Sequence, residues 1–212
     1  RQGQQHRQHR KNSPQMLHIL YGKSREAASM RSEGVMPYSP RSAAQRSPAW
    51  RLRVPDKVFS FEDGCRGSCA ANLEKSCGDF IIRRSDGVFA YQLAVVADDA
   101  LMGVTEVVRG GDLLDSTPRQ LYLYHLLGFS APRFFHLPLL LAPDGRRLSK
   151  RDRDLDCGIL RSRFSPEELL GRLGFLAGLL PVPAPVTLQE LLSEFCWDKI
   201  PRADILVPKE LF

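Results

Sequence analysis

Phe134-Phe135-His136-Leu137-Pro138-Leu139-Leu140-Leu141-Ala142-Pro143-Asp144-Gly145-Arg146-Arg147-Leu148-Ser149-Lys150-Arg151 is the stretch on which the reading of this chain turns. An apolar, strand-like run ends in a turn, and the turn delivers a basic loop. Pro-Asp-Gly turns for stated reasons: proline presets φ and glycine accepts positive φ. The cations that follow are Arg146, Arg147, Lys150, Arg151 and Arg153. Such a loop beside a sheet offers many N–H donors and compact positive charge to polyphosphate. Taken alone, it reads first as solvated surface.

Upstream, Gly78-Asp79-Phe80-Ile81-Ile82-Arg83-Arg84-Ser85-Asp86-Gly87 leads into Phe89-Ala90-Tyr91-Gln92-Leu93-Ala94-Val95-Val96-Ala97-Asp98-Asp99. Val107-Val108-Arg109-Gly110-Gly111-Asp112-Leu113-Leu114-Asp115-Ser116-Thr117-Pro118-Arg119-Gln120 comes next, and then the Arg-Leu-Ser-Lys-Arg loop. In this order the series, Gly78 to Asp152, closely resembles the second half of the catalytic domain of class I glutamyl-tRNA synthetases. The loop resembles that family's "KMSKS" element. The resemblance implies an α/β, Rossmann-like class I aminoacyl-tRNA synthetase catalytic domain (C-terminal half) with a small C-terminal helical appendage.

Composition sets wide bounds. The chain has 212 residues, 43% hydrophobic and 25% charged, enough for one domain plus an appendage. No apolar run reaches the length of a membrane span, and the basic N-terminus lacks a secretory core, so cytoplasm is the expected location. Net charge is +6, but residues 1–53 carry 11 Lys/Arg against Glu26 and Glu33 alone. The remainder is mildly acidic. A basic arm suits nucleic acid or another polyanion, and equally a disordered tail. Cys65, Cys69, Cys77, Cys157 and Cys196 form no paired CxxC and have no nearby histidine, so zinc is not expected and reduced thiols are.

Three segments follow from a pass along the chain. Residues 1–48, rich in Gln, His, Arg, Ser and Pro, read as a basic, disordered arm whose apolar residues are too scattered to offset ordering entropy. Residues 49–153 read as the partial catalytic domain. Trp50–Val54 and Val58–Phe61 alternate and suggest a hairpin across Pro55-Asp56-Lys57. Gly64 to Gly78 reads as loop, with one helical turn at Ala70–Lys75. Phe80–Ile82 and Leu93–Val96 read as buried strands joined by the turn Asp86-Gly87. Asp98-Asp99 reads as the start of a helix. Val104–Val108 reads as a strand. Ser116-Thr117-Pro118 opens a helix that stops at Gly128 and turns Leu121, Leu123, Leu126 and Leu127 toward a sheet. Residues 154–212 read as the helical appendage, with helix starts at Ser165-Pro166 and Thr187 and a stiff connector through Pro181, Pro183 and Pro185.

By resemblance, Arg147, Leu148, Ser149, Lys150 and Arg151 bind ATP, and Lys150 offsets phosphoryl charge as the catalytic residue. Tyr91 and Arg109 would bind glutamate, Arg109 as a guanidinium suited to a carboxylate. From the residues alone, Tyr91 also fits a core aromatic and Arg109 an ion-pair partner of Asp112. His136 fits a core histidine, and by resemblance a strand beside adenine. Asp98, Asp99, Asp112 and Asp115 are read as caps and ion pairs rather than a magnesium cluster, so no resident metal is expected.

The implied activity is ATP-dependent activation of L-glutamate, with Mg2+, and transfer to tRNA. Few residues follow the loop, and the ending resembles the glutamyl-Q tRNA(Asp) synthetase family, which implies the queuosine base of tRNA(Asp) as acceptor. A monomer with no membrane partner is expected. Residues 1–53 contain no "HIGH"-type signature, since His18-Ile19 lacks a following Gly-His. Adenylation by this chain alone is therefore expected to be weak or absent. The alternatives are a non-catalytic RNA-binding or partner module built on a synthetase half-domain, and a fragment of a conventional glutamyl-tRNA synthetase.

Overall fold

A computed structural model describes residues 48–148 and 156–212 in full and the backbone of 35–38. The chain divides into two compact units. The first comprises Arg1–Phe61, Cys69–Glu106 and Asp115–Pro132; the second comprises Glu62–Ser68, Val107–Leu114 and Arg133–Phe212.

The first unit holds a three-stranded sheet of order β1-β2-β5. Strand β1 (Val35–Tyr38) pairs antiparallel with β2 (Ala49–Leu52), Val35 opposite Leu52. This corrects the expectation that residues 1–48 lack structure throughout. A strand four residues long takes its stability from the ladder it joins, which composition does not reveal. On its other edge β2 pairs antiparallel with β5 (Phe80–Arg83), with a bulge between Trp50 and Arg51. The Arg83 guanidinium lies 5.3 Å from the Trp50 ring centre. The expected hairpin of β2 with Val58–Phe61 does not form, because that run is β3 (Val58–Asp63), a strand of another sheet.

Further corrections concern short apolar runs. Gly67–Asn72 is strand β4, not loop, and the helical turn α1 (Leu73–Ser76) starts after it, capped by the Asn72 side chain at Lys75 N. The turn at Asp86-Gly87 forms, with Gly87 at φ 82°. It leads into helix α2 (Tyr91–Leu101) and not into a strand. Leu93, Ala94, Val96 and Ala97 are buried along α2, the spacing of one helical face. A four-residue apolar run fits a buried strand or a helix face equally, so periodicity alone leaves the two undivided. Asp98 and Asp99 consequently fall near the end of α2 rather than at the start of a helix. Helix α3 (Thr117–Leu127) begins with Pro118 in its first turn and ends at Gly128, φ 70°. Of the four leucines expected on its inner face only Leu123 is fully buried. Thr117, Gln120, Tyr122 and Tyr124 fill the remainder. Gln120 donates to Gln92 Oε1 (2.8 Å) and Gln92 to Ser116 Oγ (3.0 Å), a chain that pairs the buried Gln120 amide.

A four-stranded sheet has the order β4-β3-β7-β6, and the second unit holds part of it. The unit contributes the end of β3, the first residues of β4, most of β6 (Glu106–Gly110) and all of β7 (Arg133–Leu137). Strand β3 is parallel to β7, with Asp63 opposite Phe134. Phe134, Phe135 and His136 are buried in succession, as a strand covered on both faces requires. The apolar run breaks at Pro138, and Leu140–Leu141 forms a separate strand, β8, parallel to β9 (Ile205–Leu206). Helices α4 (Cys157–Arg163), α5 (Pro166–Leu176) and α6 (Leu188–Glu194) complete the unit. Capping boxes Ser165/Glu168 and Thr187/Glu190 open the last two, as the sequence signals imply. The segment 154–212 therefore carries a strand as well as helices. Among the described residues no helix is long and apolar enough to cross a membrane.

Candidate functional site

The chemistry-bearing side chains of the second unit gather where β3, β6 and β7 end. Asp63, the last residue of β3, is buried with its carboxylate fully engaged. Its Oδ1 accepts from the backbone N–H of Arg66 (2.8 Å), Cys65 (3.0 Å) and His136 (3.1 Å), and its Oδ2 meets His136 Nδ1 at 2.5 Å. The first two bonds close a turn at Gly64, where a Cβ would fall inside the Phe135 ring, so only glycine fits. The far ring nitrogen, His136 Nε2, lies 2.9 Å from Arg109 Nε. The Arg109 guanidinium also stands over the Phe134 ring, 5.0 Å from its centre. Arg109 sits near the end of β6, just before Gly110-Gly111.

A second arginine clamps the exit of β7. Arg66 donates from Nε to His136 O (3.1 Å) and from Nη2 to Asp204 Oδ1 (2.8 Å), and it also reaches the Arg202 carbonyl. Asp204 Oδ1 accepts from Leu139 N as well, at 3.0 Å. The Arg66 bond, and then that backbone bond, hold the Asp204 carboxyl below its ordinary value. A side chain at Gly111 would run into the Arg66 guanidinium and the Leu137 carbonyl, so the Gly-Gly pair lets β6 close against the clamp.

The basic loop is anchored at its start. Leu141 bridges to Arg147 across the turn Pro143-Asp144-Gly145, with Gly145 at φ 83°. Arg147 Nη2 donates to Asp112 Oδ2 at 2.8 Å. Leu148 packs on the buried cluster Leu176, Val207 and Leu211. A cavity of about 490 Å3 opens beside it, lined among others by Arg146, Lys209 and Phe212. Ser149, Lys150 and Arg151 lie outside the described residues. Tyr91 is the first residue of α2, in the first unit. It is 46% exposed, which removes the core-aromatic alternative.

The second unit thus pairs Arg109 with His136 and Asp112 with Arg147. Asp63, Arg66 and Asp204 lie in the same unit and escaped the sequence reading. Glu62-Asp63 closing an alternating run was the available signal for the first. Nothing local marks Arg66 and Asp204 as partners, because they are 138 positions apart. Among the described residues no group of three or more His, Cys, Asp or Glu gathers as a metal site.

Burial alone would raise the Asp63 carboxyl, but the bonds from His136 and from backbone N–H groups outweigh it and hold the value below the ordinary one. Burial lowers His136, and the nearby Arg109 charge adds to that against the opposing Asp63 bond. Both groups therefore take up protons more readily in the unfolded chain. Stability is present above their unfolded values and lost as pH falls, from about 6.5 downward for the histidine and about 3.9 downward for the carboxyl. The urea midpoint is expected to drop between about pH 7.5 and pH 5, and to drop less in His136→Phe. A flat midpoint in the unmodified chain over that interval would contradict the buried neutral imidazole.

Comparison with known proteins widens the similarity beyond Gly78–Asp152. The family described as tRNA synthetases class I (E and Q), catalytic domain, matches residues 4–173. The glutamyl-Q tRNA(Asp) synthetase of Symbiobacterium thermophilum is 48% identical over 171 residues, 80% of this chain and 53% of that protein. The protein of the same name from Nitratidesulfovibrio vulgaris is 48% identical over 167 residues, covering 78% and 52%. In Pseudomonas entomophila the corresponding figures are 53% over 120 residues, 56% and 41%. The chain spans about half the length of the curated relatives it matches. Among solved structures, a glutamate-tRNA synthetase from Elizabethkingia anophelis superposes with a TM-score of 0.66 at 28% identity, covering 77% of this chain and 37% of that one. A glutamate tRNA ligase from Elizabethkingia meningosepticum, solved in complex with its amino acid, gives the same score and identity.

Proposed function

Because this chain belongs to the class I tRNA synthetases (E and Q), we propose that it serves an ATP-dependent ligase that activates L-glutamate and transfers it to tRNA, with the queuosine base of tRNA(Asp) as acceptor. A glutamate carboxylate oxygen attacks the α-phosphorus of ATP, whose phosphates carry Mg2+. The bond to the bridging oxygen breaks, pyrophosphate leaves, and glutamyl-adenylate forms. No protein nucleophile is needed. Catalysis is then a matter of positioning and charge. Arg109 grips a substrate carboxylate, and Tyr91 is the other residue that the family resemblance assigns to glutamate. Arg147, Leu148, Ser149, Lys150 and Arg151 hold the triphosphate, and the Lys150 ammonium offsets charge on the departing phosphates. The whole protein works as a cytoplasmic monomer.

The observation that carries this reading is an arginine at a strand end whose Nε is held by a buried histidine, in a chain of this family. The test is glutamate-dependent ATP–pyrophosphate exchange by the full chain without tRNA. Slow exchange that requires glutamate and vanishes in Lys150→Ala is the expected result, since residues 1–53 lack a HIGH-type signature. A folded chain without exchange would overturn catalysis by this polypeptide and favour an RNA-binding module, for which the net excess of nine cations in residues 1–53 speaks.

A further inference from the structure

Asp63 and His136 are too deeply buried to meet substrate, yet they end on Arg109. Asp63 is acceptor-only, so the 2.5 Å contact requires the proton on His136 Nδ1. A neutral ring carrying that proton has a lone pair at Nε2, where Arg109 Nε–H donates at 2.9 Å. The proton pattern runs one way, from Arg109 to His136 to Asp63. A guanidinium can grip a carboxylate end-on through its two Nη groups or side-on through Nε and one Nη. With Nε committed to His136, the side-on mode is closed.

Resting on Arg109 as the carboxylate-binding arginine, we infer that Asp63 and His136 are positioning residues that lock the guanidinium so that substrate carboxylate is bound end-on by its Nη groups. Asp63→Asn tests this with almost no change of shape. Three backbone N–H groups, of Cys65, Arg66 and His136, already point at Oδ1, so the Asn carbonyl must take that place. Its NH2 then occupies the Oδ2 position and donates to His136 Nδ1. The ring proton is driven to Nε2, where it faces Arg109 Nε–H donor to donor. The lock opens although every side chain keeps its volume, the logic by which an Asp-to-Asn change selects the wrong histidine tautomer.

The experiment uses nitrogen NMR on the full chain together with exchange kinetics. In the unmodified protein, His136 should show the Nδ1–H tautomer and a coupling through the hydrogen bond to Arg109 Nε. In Asp63→Asn the tautomer should invert and the coupling vanish, and the KM for glutamate should rise about 10- to 100-fold with a smaller change in kcat. An Nε2–H tautomer or a charged ring in the unmodified chain at neutral pH would overturn the lock, whether or not the variant folds. An unchanged KM in a folded Asp63→Asn whose tautomer has inverted would also overturn it. If the Nδ1–H tautomer and the coupling are present but no glutamate-dependent exchange is, the lock stands and the proposed activity fails.

Discussion

Replacing Arg109 with leucine is expected to raise the glutamate KM by about 30-fold or more. Losing one partner of a hydrogen-bonded charge pair costs about 2–5 kcal/mol, and because Arg109 is half-buried the lower end applies. Leucine keeps apolar contact with Phe134 but supplies no donor. The effect has a second component in stability. His136 Nε2 is buried and loses Arg109 Nε, an unsatisfied acceptor worth about 1–3 kcal/mol. The unfolding midpoint of Arg109→Leu should therefore fall along with substrate affinity. The two measurements separate the roles. A fall in stability with an unchanged glutamate KM would leave Arg109 as the partner of His136 and remove it from substrate binding. Arg109→Lys should restore little, since an ammonium cannot hold His136 and fork to a carboxylate at once.

Gly171→Ala is expected to destabilise the second unit by about 3 kcal/mol, the upper part of the usual range for overpacking. Gly171 lies buried in the middle of α5, and the Cβ of an alanine there would overlap the carbonyl of Ala184. That carbonyl belongs to the proline-rich connector, which is tied to α5 by Val186 N donating to Glu167 O at 3.1 Å. Backbone cannot swing away as a side chain can. Gly174→Ala should lose less, because its Cβ would meet the side-chain ends of Leu191 and Leu180. Helix propensity alone gives the opposite sign, a gain of about 1 kcal/mol for glycine to alanine in a helix interior. Urea unfolding of the two variants decides: stabilisation by Gly171→Ala would mean that the connector does not lie against α5 as described.

Local chemistry accounts for what was legible early. Pro118 and Gly128 bound α3, Ser165 and Thr187 open α5 and α6, and Gly87 and Gly145 turn the chain, each through a preference carried by its own residue. The ordered series from Gly78 to Asp152 carried the family resemblance, and with it Arg109 and the basic loop as candidates. The errors fall where a short run has two readings. Leu93–Val96 became helix face rather than strand, and β1 and β4 arose in stretches whose composition suggested no order. In each, pairing or packing with a distant element overrode a weak local preference.

The family, the turn and cap positions, and the charged residues worth watching reside in residue types and short spacings. What those residues do to one another depends on how distant segments pack. Asp63 and His136 are 73 positions apart, and Arg66 and Asp204 are 138 apart. Parallel pairing of β3 with β7 sets Asp63 beside the strand that carries His136, and its burial makes every proton in the Asp63–His136–Arg109 chain directional. In water those three side chains would exchange partners freely. With Asp63 and His136 buried, the bond from Arg109 Nε to His136 Nε2 has a fixed direction, and that turns an arginine at a strand end into an oriented one.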